Sequence, residues 1–156
     1  MCLPQKVRNP ESVLAEGVHN GHEWAVVANR MGFRCGYVKV EPGHPWHGQE
    51  AENVETYAAD SDGDRWPDVH GGLTFSAPDT PCEADGPDNG WWVGFDCGHA
   101  GDGHDPLIMS DDYRQRANER PDLYSAIGGD VIRTQEYVEQ ECRKLADQAA
   151  AFPVTN

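Results

Sequence analysis

Two short stretches of the sequence, residues 69–76 and 91–102, concentrate the side chains that could do chemistry. Their polar or ionisable residues include His70, Thr74, Asp96, Cys97, His99 and Asp102. Imidazole, carboxylate and thiol groups serve as general acids and bases, as nucleophiles and as metal ligands. Several of these residues lie among glycines, and glycine within a strand often marks the close approach of a ligand or of another backbone.

Both stretches have the composition of β-strands, because aromatic and β-branched residues alternate with polar residues or glycine. Alternate side chains of a strand point to opposite faces. This rule places Trp92 and Asp96 on one face of the first strand and Cys97 on its apolar face. It places His70 and Thr74 on the polar face of the second strand. If the strands are neighbours, the four polar-face side chains line one shallow floor; otherwise this is a solvated outer face.

A third stretch, residues 41–48, is a loop in which two prolines and two glycines restrict the backbone around His44 and Trp46. Loops of this kind commonly carry binding residues, so we predict that both side chains form part of a pocket wall. Cations are few in this acidic chain, and Arg34 or Arg133 is expected to meet any anionic group of a ligand.

Three chemistries are consistent with these residues. Zinc accepts the ligand types offered by Cys97, His99 and Asp102, with His70 nearby, although their spacing is not that of a structural zinc module. A metal-bound water would then be the nucleophile, with Asp96 or Asp102 as the base. Cys97 could instead be a thiol nucleophile beside His99, or an inert buried cysteine. Non-covalent capture of a ligand needs no reactivity, since Trp92, Trp46 and Tyr37 offer flat surfaces.

Composition limits the class of protein. A chain of 156 residues suits a single domain. A formal net charge of −15 argues against a groove for nucleic acid, which needs clustered lysine and arginine. Five cysteines without paired spacing predict reduced thiols and a cytoplasmic protein, and no apolar run is long enough to suggest a membrane segment.

The remaining pattern predicts an α+β fold, in which a small antiparallel or mixed sheet carries a C-terminal amphipathic helix on one face. Residues 23–29 and 33–40 read as a hairpin, and residues 134–150 as the helix, capped by Thr134. A short helix is expected near residues 111–119. Residues 1–22 are expected to be loosely ordered, with a helical turn near residues 11–16.

Several motifs together resemble a small protein family of tailed bacteriophages and prophages. They are Cys35-Gly36-Tyr37-Val38, Gly43-His44-Pro45, VHGGLT at 69–74, WWVGFDC at 91–97 with His99 and Gly101-Asp102, and Tyr137-Val138 with Glu141. The resemblance covers about residues 23–150, and the acidic segment near residues 55–66 departs from it. It implies a phage or prophage origin and action in the bacterial host cytoplasm, and it implies no particular activity.

We therefore expect a phage-type accessory protein that binds a small polar, nucleotide-derived ligand and counters a host defence. Its predicted ligand-binding residues are His70, Thr74, Trp92, Asp96, His44, Trp46 and Arg34. One alternative is a metal-dependent hydrolase of a small phosphoester or amide, with zinc held by His99, Asp102 and Cys97. Another is an acidic protein inhibitor that binds a host factor. No other cofactor is indicated, and an oligomer is compatible with the sequence.

Overall fold

The computed structural model describes residues 3, 4, 7, 12–80, 89–124 and 131–153. Five strands form one antiparallel sheet in the order β1-β2-β3-β5-β4. The strands are β1 (Val13–His19), β2 (His22–Ala28), β3 (Arg34–Val40), β4 (Phe75–Pro78) and β5 (Trp91–Asp96). The helices are α1 (Asp111–Glu119), α2 (Pro121–Tyr124) and α3 (Gln135–Ala150), and a 3-10 turn covers Ala51–Asn53. The predicted α+β fold is confirmed.

The first two strands form a hairpin with a two-residue turn at Asn20 and Gly21. Both residues have positive φ angles, 51° and 85°, as the tight turns that match strand twist require. The predicted helical turn near residues 11–16 is wrong, because β1 occupies most of this segment and pairs with β2. Pairing along a whole strand outweighs the weak local preference of one short segment.

The hairpin of β2 and β3 agrees with the prediction, and β5 lies against β3 on its other side. The two polar stretches are also neighbours, since β4 pairs with β5. However, the predicted strand at residues 69–76 is wrong for residues 69–74, because β4 begins at Phe75. Residues 69–71 form a turn in which the N–H of Gly72 donates to the carbonyl of Val69 at 2.9 Å. Gly71 and Gly72 both have positive φ, which a strand does not allow.

Helix α3 packs on one face of the sheet, against β1, β2 and β3. Its N-cap is Thr134, whose hydroxyl oxygen accepts the backbone N–H of Tyr137 at 3.2 Å. The buried stripe of the helix is Val138, Cys142, Leu145, Ala146 and Ala149, at steps of three and four. Full burial of Val138 or Leu145 contributes about 1.5–3 kcal/mol to stability. The predicted helix, its cap and the short helix α1 are confirmed.

The opposite face of the sheet carries a second, smaller apolar cluster. Its buried members are Leu3, Ala25, Val27, Tyr37 and Trp92. The sheet is therefore apolar on both faces, and its polar groups are displaced to its ends and edges. Within the described part of the chain, no helix has the length and apolarity needed to cross a bilayer.

Candidate metal centre

Three separate segments meet beyond the end of β5 and beside the first turn of α3. The turn before β4 brings His70, the chain leaving β5 brings His99 and Asp102, and the residues before α3 bring Arg133. A short parallel bridge between Asp102 and Val131 joins the last two segments. Because β4 and α3 are both fixed to the sheet, residues far apart in the chain converge here.

His70, His99 and Asp102 form one group, with His70 and Asp102 at its centre. Nε2 of His70 lies 2.8 Å from Oδ2 of Asp102, and both side chains are largely buried. A carboxylate only accepts hydrogen bonds, so Nε2 of a neutral His70 carries the proton. The other ring nitrogen, Nδ1, then accepts the hydroxyl of Tyr137 at 2.9 Å. The imidazole ring is thus held on both sides.

His99 completes the group. Its Nδ1 atom lies 3.7 Å from Oδ2 of Asp102 and is buried, with no hydrogen-bond partner in the described parts of the chain. One donor atom from each of His70, His99 and Asp102 lies within 4.8 Å of the other two. A buried ring nitrogen without a partner is costly, and a bound cation would satisfy it. The geometry therefore fits a metal ion held by two imidazoles and one carboxylate.

Gly71 makes the close approach of the two histidine-bearing segments feasible. A Cβ atom at this position would overlap the imidazole ring of His99. Gly71 also has a φ angle of +68°, a conformation that side chains other than glycine rarely adopt. Gly71 thus accommodates a neighbouring side chain of the same site.

Arg133 fixes the orientation of the Asp102 carboxylate. Its Nε–H donates to Oδ1 of Asp102 at 2.8 Å, which leaves Oδ2 facing the two histidines. Burial alone raises the pKa of Asp102, but the hydrogen bonds from Arg133 and His70 outweigh burial and hold that pKa below its ordinary value. Asp102 is therefore a carboxylate at neutral pH, the form that binds metals.

Tyr137 connects the group to helix α3. Burial, followed by the negative charge of Glu141, raises the pKa of Tyr137, so its hydroxyl keeps its proton at neutral pH. Its ring meets the His70 ring edge to face, with centroids 5.5 Å apart. Tyr137 thus holds His70 through a hydrogen bond and a ring contact. An outer partner of this kind orients a histidine that binds a metal.

Asp96 lies beside the group without belonging to it. Its Oδ1 accepts the N–H of Gly98 at 2.9 Å and lies 3.7 Å from Nδ1 of His99. Its Oδ2 accepts the hydroxyl of Thr74 at 3.0 Å. Asp96 and Thr74 are therefore brought together as predicted, whereas His70 bonds to Asp102 and Tyr137 instead of Asp96.

Cys97 lies outside this group. The group that the described residues form contains His70 in its place, and Cys97 is buried in the apolar core under α3. Burial, reinforced by the negative charge of Asp102, raises the pKa of Cys97 to about 12. A thiol with such a pKa is protonated at neutral pH and is a poor nucleophile. The prediction of an apolar-face cysteine is confirmed, and its assignment as a ligand of this group is wrong.

Trp92 and Tyr37 do not offer flat surfaces to a ligand, and that prediction is wrong. Trp92 is 0% exposed, and its indole Nε1 donates to Asp79 at 3.0 Å on the second apolar face. Tyr37 is buried in the same cluster. Alternation correctly placed Trp92 on the same side of β5 as Asp96, but Leu3 and other apolar residues cover that side of the sheet around Trp92.

Arg34 is also internal. Its Nη2 pairs with Oδ2 of Asp105 at 2.9 Å, with only 9% and 10% of the two side chains exposed. Its Nη1 donates to the backbone carbonyl of Arg133 at 3.0 Å. Arg34 thus supports the backbone beside the group rather than presenting a charge to a ligand. Sequence reasoning missed Tyr137 and Asp105 as partners, because neither lies in the polar stretches.

His44 and Trp46 lie at the other end of α3, away from this group. Nδ1 of His44 accepts the N–H of Trp46 at 3.0 Å, and its Nε2 donates to the carbonyl of Ala149 at 2.9 Å. Desolvation by burial lowers the pKa of His44. Both residues nevertheless border grooves: one of about 630 Å³ beside His44 and one of about 610 Å³ beside Trp46.

The convergence of His70, His99 and Asp102 on one point is the strongest indication of chemistry within the described structure. Comparison of the chain with protein-family models, with curated proteins and with solved structures finds no match. The likeness to a phage family stays a prediction.

Proposed function

We propose that this protein binds a divalent transition metal at His70, His99 and Asp102 and uses it to hydrolyse a small phosphoester or amide. The single observation that carries the proposal is the approach of one donor atom from each residue to within 4.8 Å of the other two, in a group where the buried Nδ1 of His99 has no hydrogen-bond partner among the described residues. Two imidazoles and one carboxylate form a donor set found in hydrolytic zinc sites.

The types of donor atom favour zinc over magnesium or calcium. Imidazole nitrogen suits zinc and its first-row neighbours, whereas magnesium and calcium prefer sites made of oxygen alone. Three protein ligands also leave a fourth position of a tetrahedral zinc site for water or substrate. The His99 side chain is 36% exposed, so the group has access to solvent on that side.

Zinc in such a site lowers the pKa of a bound water and polarises an oxygen of the substrate. The protein's residues then have separate tasks. Asp102 would be a metal ligand, and its second oxygen accepts a hydrogen bond from the cationic guanidinium of Arg133, which disfavours its protonation. Among the described residues, Asp96 is the other carboxylate beside His99, 3.7 Å from its Nδ1, and is about one-third exposed. We assign the role of general base to Asp96.

Metal binding is the direct test. The purified protein, stripped with a chelator and dialysed against zinc, should retain close to one equivalent by elemental analysis. His99→Ala is the most informative variant, because His99 makes no side-chain hydrogen bond within the described residues that its loss would break. This variant should lose bound zinc and stay folded.

The matched control is His47→Ala, since His47 lies outside the group and its Nε2 contacts the carbonyl of Asn89. It should retain zinc. Equal zinc content in wild type, His99→Ala and His47→Ala would show that the metal is not held at this group and would overturn the proposal.

A phage-type role in capturing a small polar ligand is a second proposal, favoured by the groove beside Trp46. Its volume of about 610 Å³ lies in the range of small-molecule sites, and Trp46, Tyr57, Phe152 and Arg65 are among its lining residues. Mass spectrometry of material released from heat-denatured protein, together with binding assays on a nucleotide panel, tests it. This role would be contradicted if the denatured protein releases no compound and the folded protein binds no nucleotide of the panel.

A further inference from the structure

We infer, on the basis of the metal centre proposed above, that its substrate carries an oxyanion and that Arg133 binds this oxyanion beside the metal. Among the described residues, the side chain of Arg133 makes one hydrogen bond, from Nε to Oδ1 of Asp102 at 2.8 Å. Its two terminal nitrogens have no hydrogen-bond partner in the described parts of the chain. The side chain is 29% exposed, so these donors are accessible from solvent.

The guanidinium group is held in place before any ligand arrives. Asp102 fixes its Nε edge, and its carbon lies 5.1 Å from the centre of the Tyr137 ring. Both of these residues also contact His70. A single carboxylate therefore separates the free donors of Arg133 from the donor atoms of the metal group.

The backbone of Arg133 is held as firmly as its side chain. Its carbonyl accepts Nη1 of Arg34 at 3.0 Å, and Arg34 is itself fixed by the buried pair with Asp105. Two residues earlier, the carbonyl of Val131 accepts the N–H of Gly103 at 2.7 Å. Such preorganisation lowers the entropy lost when a ligand binds.

Charge also points to an anionic group. The chain has a net charge of −15, so an anion would be repelled from most of its surface. Arg34 is committed to Asp105, and Lys144 pairs with Glu141 and Asp68. Arg133 therefore has uncommitted donors beside the group, and a divalent ion would add to its positive charge. The planar guanidinium matches the paired oxygens of phosphate or carboxylate.

The experiment uses Co²⁺ in place of zinc, because the visible spectrum of Co²⁺ reports on its ligands. The Co²⁺-loaded full-length protein is titrated with inorganic phosphate and, in a separate arm, with acetate. Arg133→Ala removes the hydrogen-bond donors, and Arg133→Lys keeps the positive charge but not the paired donors of the planar guanidinium. Arg30→Ala is the control. Arg30 forms an exposed pair with Asp112. Cobalt content is measured for every variant before titration.

Wild type and Arg30→Ala should bind phosphate, acetate or both, with a change in the cobalt spectrum. Arg133→Ala loses hydrogen bonds to a charged group, so its anion affinity should be roughly tenfold or more below that of wild type. The anion affinity of Arg133→Lys should lie between those of wild type and Arg133→Ala. Tighter phosphate binding would identify a phosphoester substrate, and tighter acetate binding a carboxylate substrate.

Three results would count against the inference, and they are distinguishable. Equal anion affinity in wild type and Arg133→Ala, both loaded with cobalt, would overturn the role of Arg133 and leave the metal centre intact. A cobalt-loaded wild type that binds neither anion would overturn the oxyanion substrate. A wild type that takes up no cobalt would overturn the metal centre and this inference together.

Discussion

Nε2 of His70 and Oδ2 of Asp102 lie 2.8 Å apart, although 32 positions separate the residues in the chain. The same two atoms are the ones that a metal ion would share with His99. This hydrogen bond holds the two ligands together in the metal-free protein, and it also makes both residues part of the local structure. Substitutions at His70 or Asp102 therefore disturb folding and binding at once, whereas substitutions around His99 separate the two effects.

Gly71 and Gly72 form a matched pair that tests the position of His99. Both have positive φ, +68° and +78°, so alanine at either position costs about 1–2 kcal/mol of backbone strain. Only a Cβ at position 71 would meet the His99 ring; at position 72 nothing lies within 4 Å. We expect Gly71→Ala to weaken zinc binding roughly tenfold relative to Gly72→Ala, as other changes beside metal ligands do.

Zinc titration with a competing chelator and urea denaturation of both glycine variants provide the measurements. Both free energies of unfolding should be lowered, that of Gly71→Ala at least as much as that of Gly72→Ala, because only position 71 adds a contact with the His99 ring. Identical zinc affinities in the two variants would show that His99 is not held against Gly71 when metal is bound.

Tyr137 should affect metal affinity without touching the metal. When Nε2 of His70 binds an ion, the ring proton is on Nδ1 and faces the Tyr137 oxygen 2.9 Å away. Tyr137→Phe keeps the ring contact and removes this partner, so zinc affinity should fall roughly tenfold. Tyr57→Phe, at an exposed tyrosine outside the group, is the control and should keep wild-type affinity. Equal zinc affinity in the two variants would contradict this outer role.

Asp105 should be important for stability. It neutralises Arg34 in a pair whose side chains are 9% and 10% exposed, and Asp105→Asn leaves the guanidinium charge buried without a counter-charge. Loss of one partner of a buried pair typically lowers the free energy of unfolding by about 3–5 kcal/mol. Asp112→Asn breaks the exposed pair with Arg30 and should lower the free energy of unfolding far less. Urea denaturation of both variants checks this, and similar stabilities would refute it.

His44 should make the protein less stable in mild acid. Its Nδ1 accepts a backbone N–H, so protonation would break that bond, and burial lowers its pKa in the folded state. The unfolded chain takes up this proton at about pH 6.5, whereas the folded chain does so only at lower pH. The free energy of unfolding should therefore fall as the pH drops below about 6.5.

The test for His44 is a series of urea denaturations between pH 8 and pH 5 on wild type and His44→Gln. The variant's stability at pH 8 reports the hydrogen bonds lost, and the difference in slope below pH 6.5 reports protonation. Parallel curves for the two proteins would exclude His44 as the source of the acid sensitivity.

The local patterns of the sequence determined much of the fold. Alternation identified β5 and the hairpin of β2 and β3, the three- and four-residue repeat identified α3, and residue chemistry gave Thr134 as its cap. Alternation also placed Cys97 in the core. These features depend on interactions between residues close in the chain, or on which face of an element is buried. A short stretch of sequence is enough to predict either of them.

Only the tertiary structure decided which polar groups meet. His70 and Asp96 were expected on one floor, but the turn at Gly71 takes His70 to Asp102 and Tyr137. The sequence contained all of these residue types and did not specify their pairing. Such pairing depends on strand order and on the position of α3 over the sheet. It also depends on the positive φ angles of Gly71 and Gly72, which are set by the packing of the folded chain. Residue chemistry was therefore readable from the chain, whereas the distance between two donor atoms became defined only when separate segments packed together.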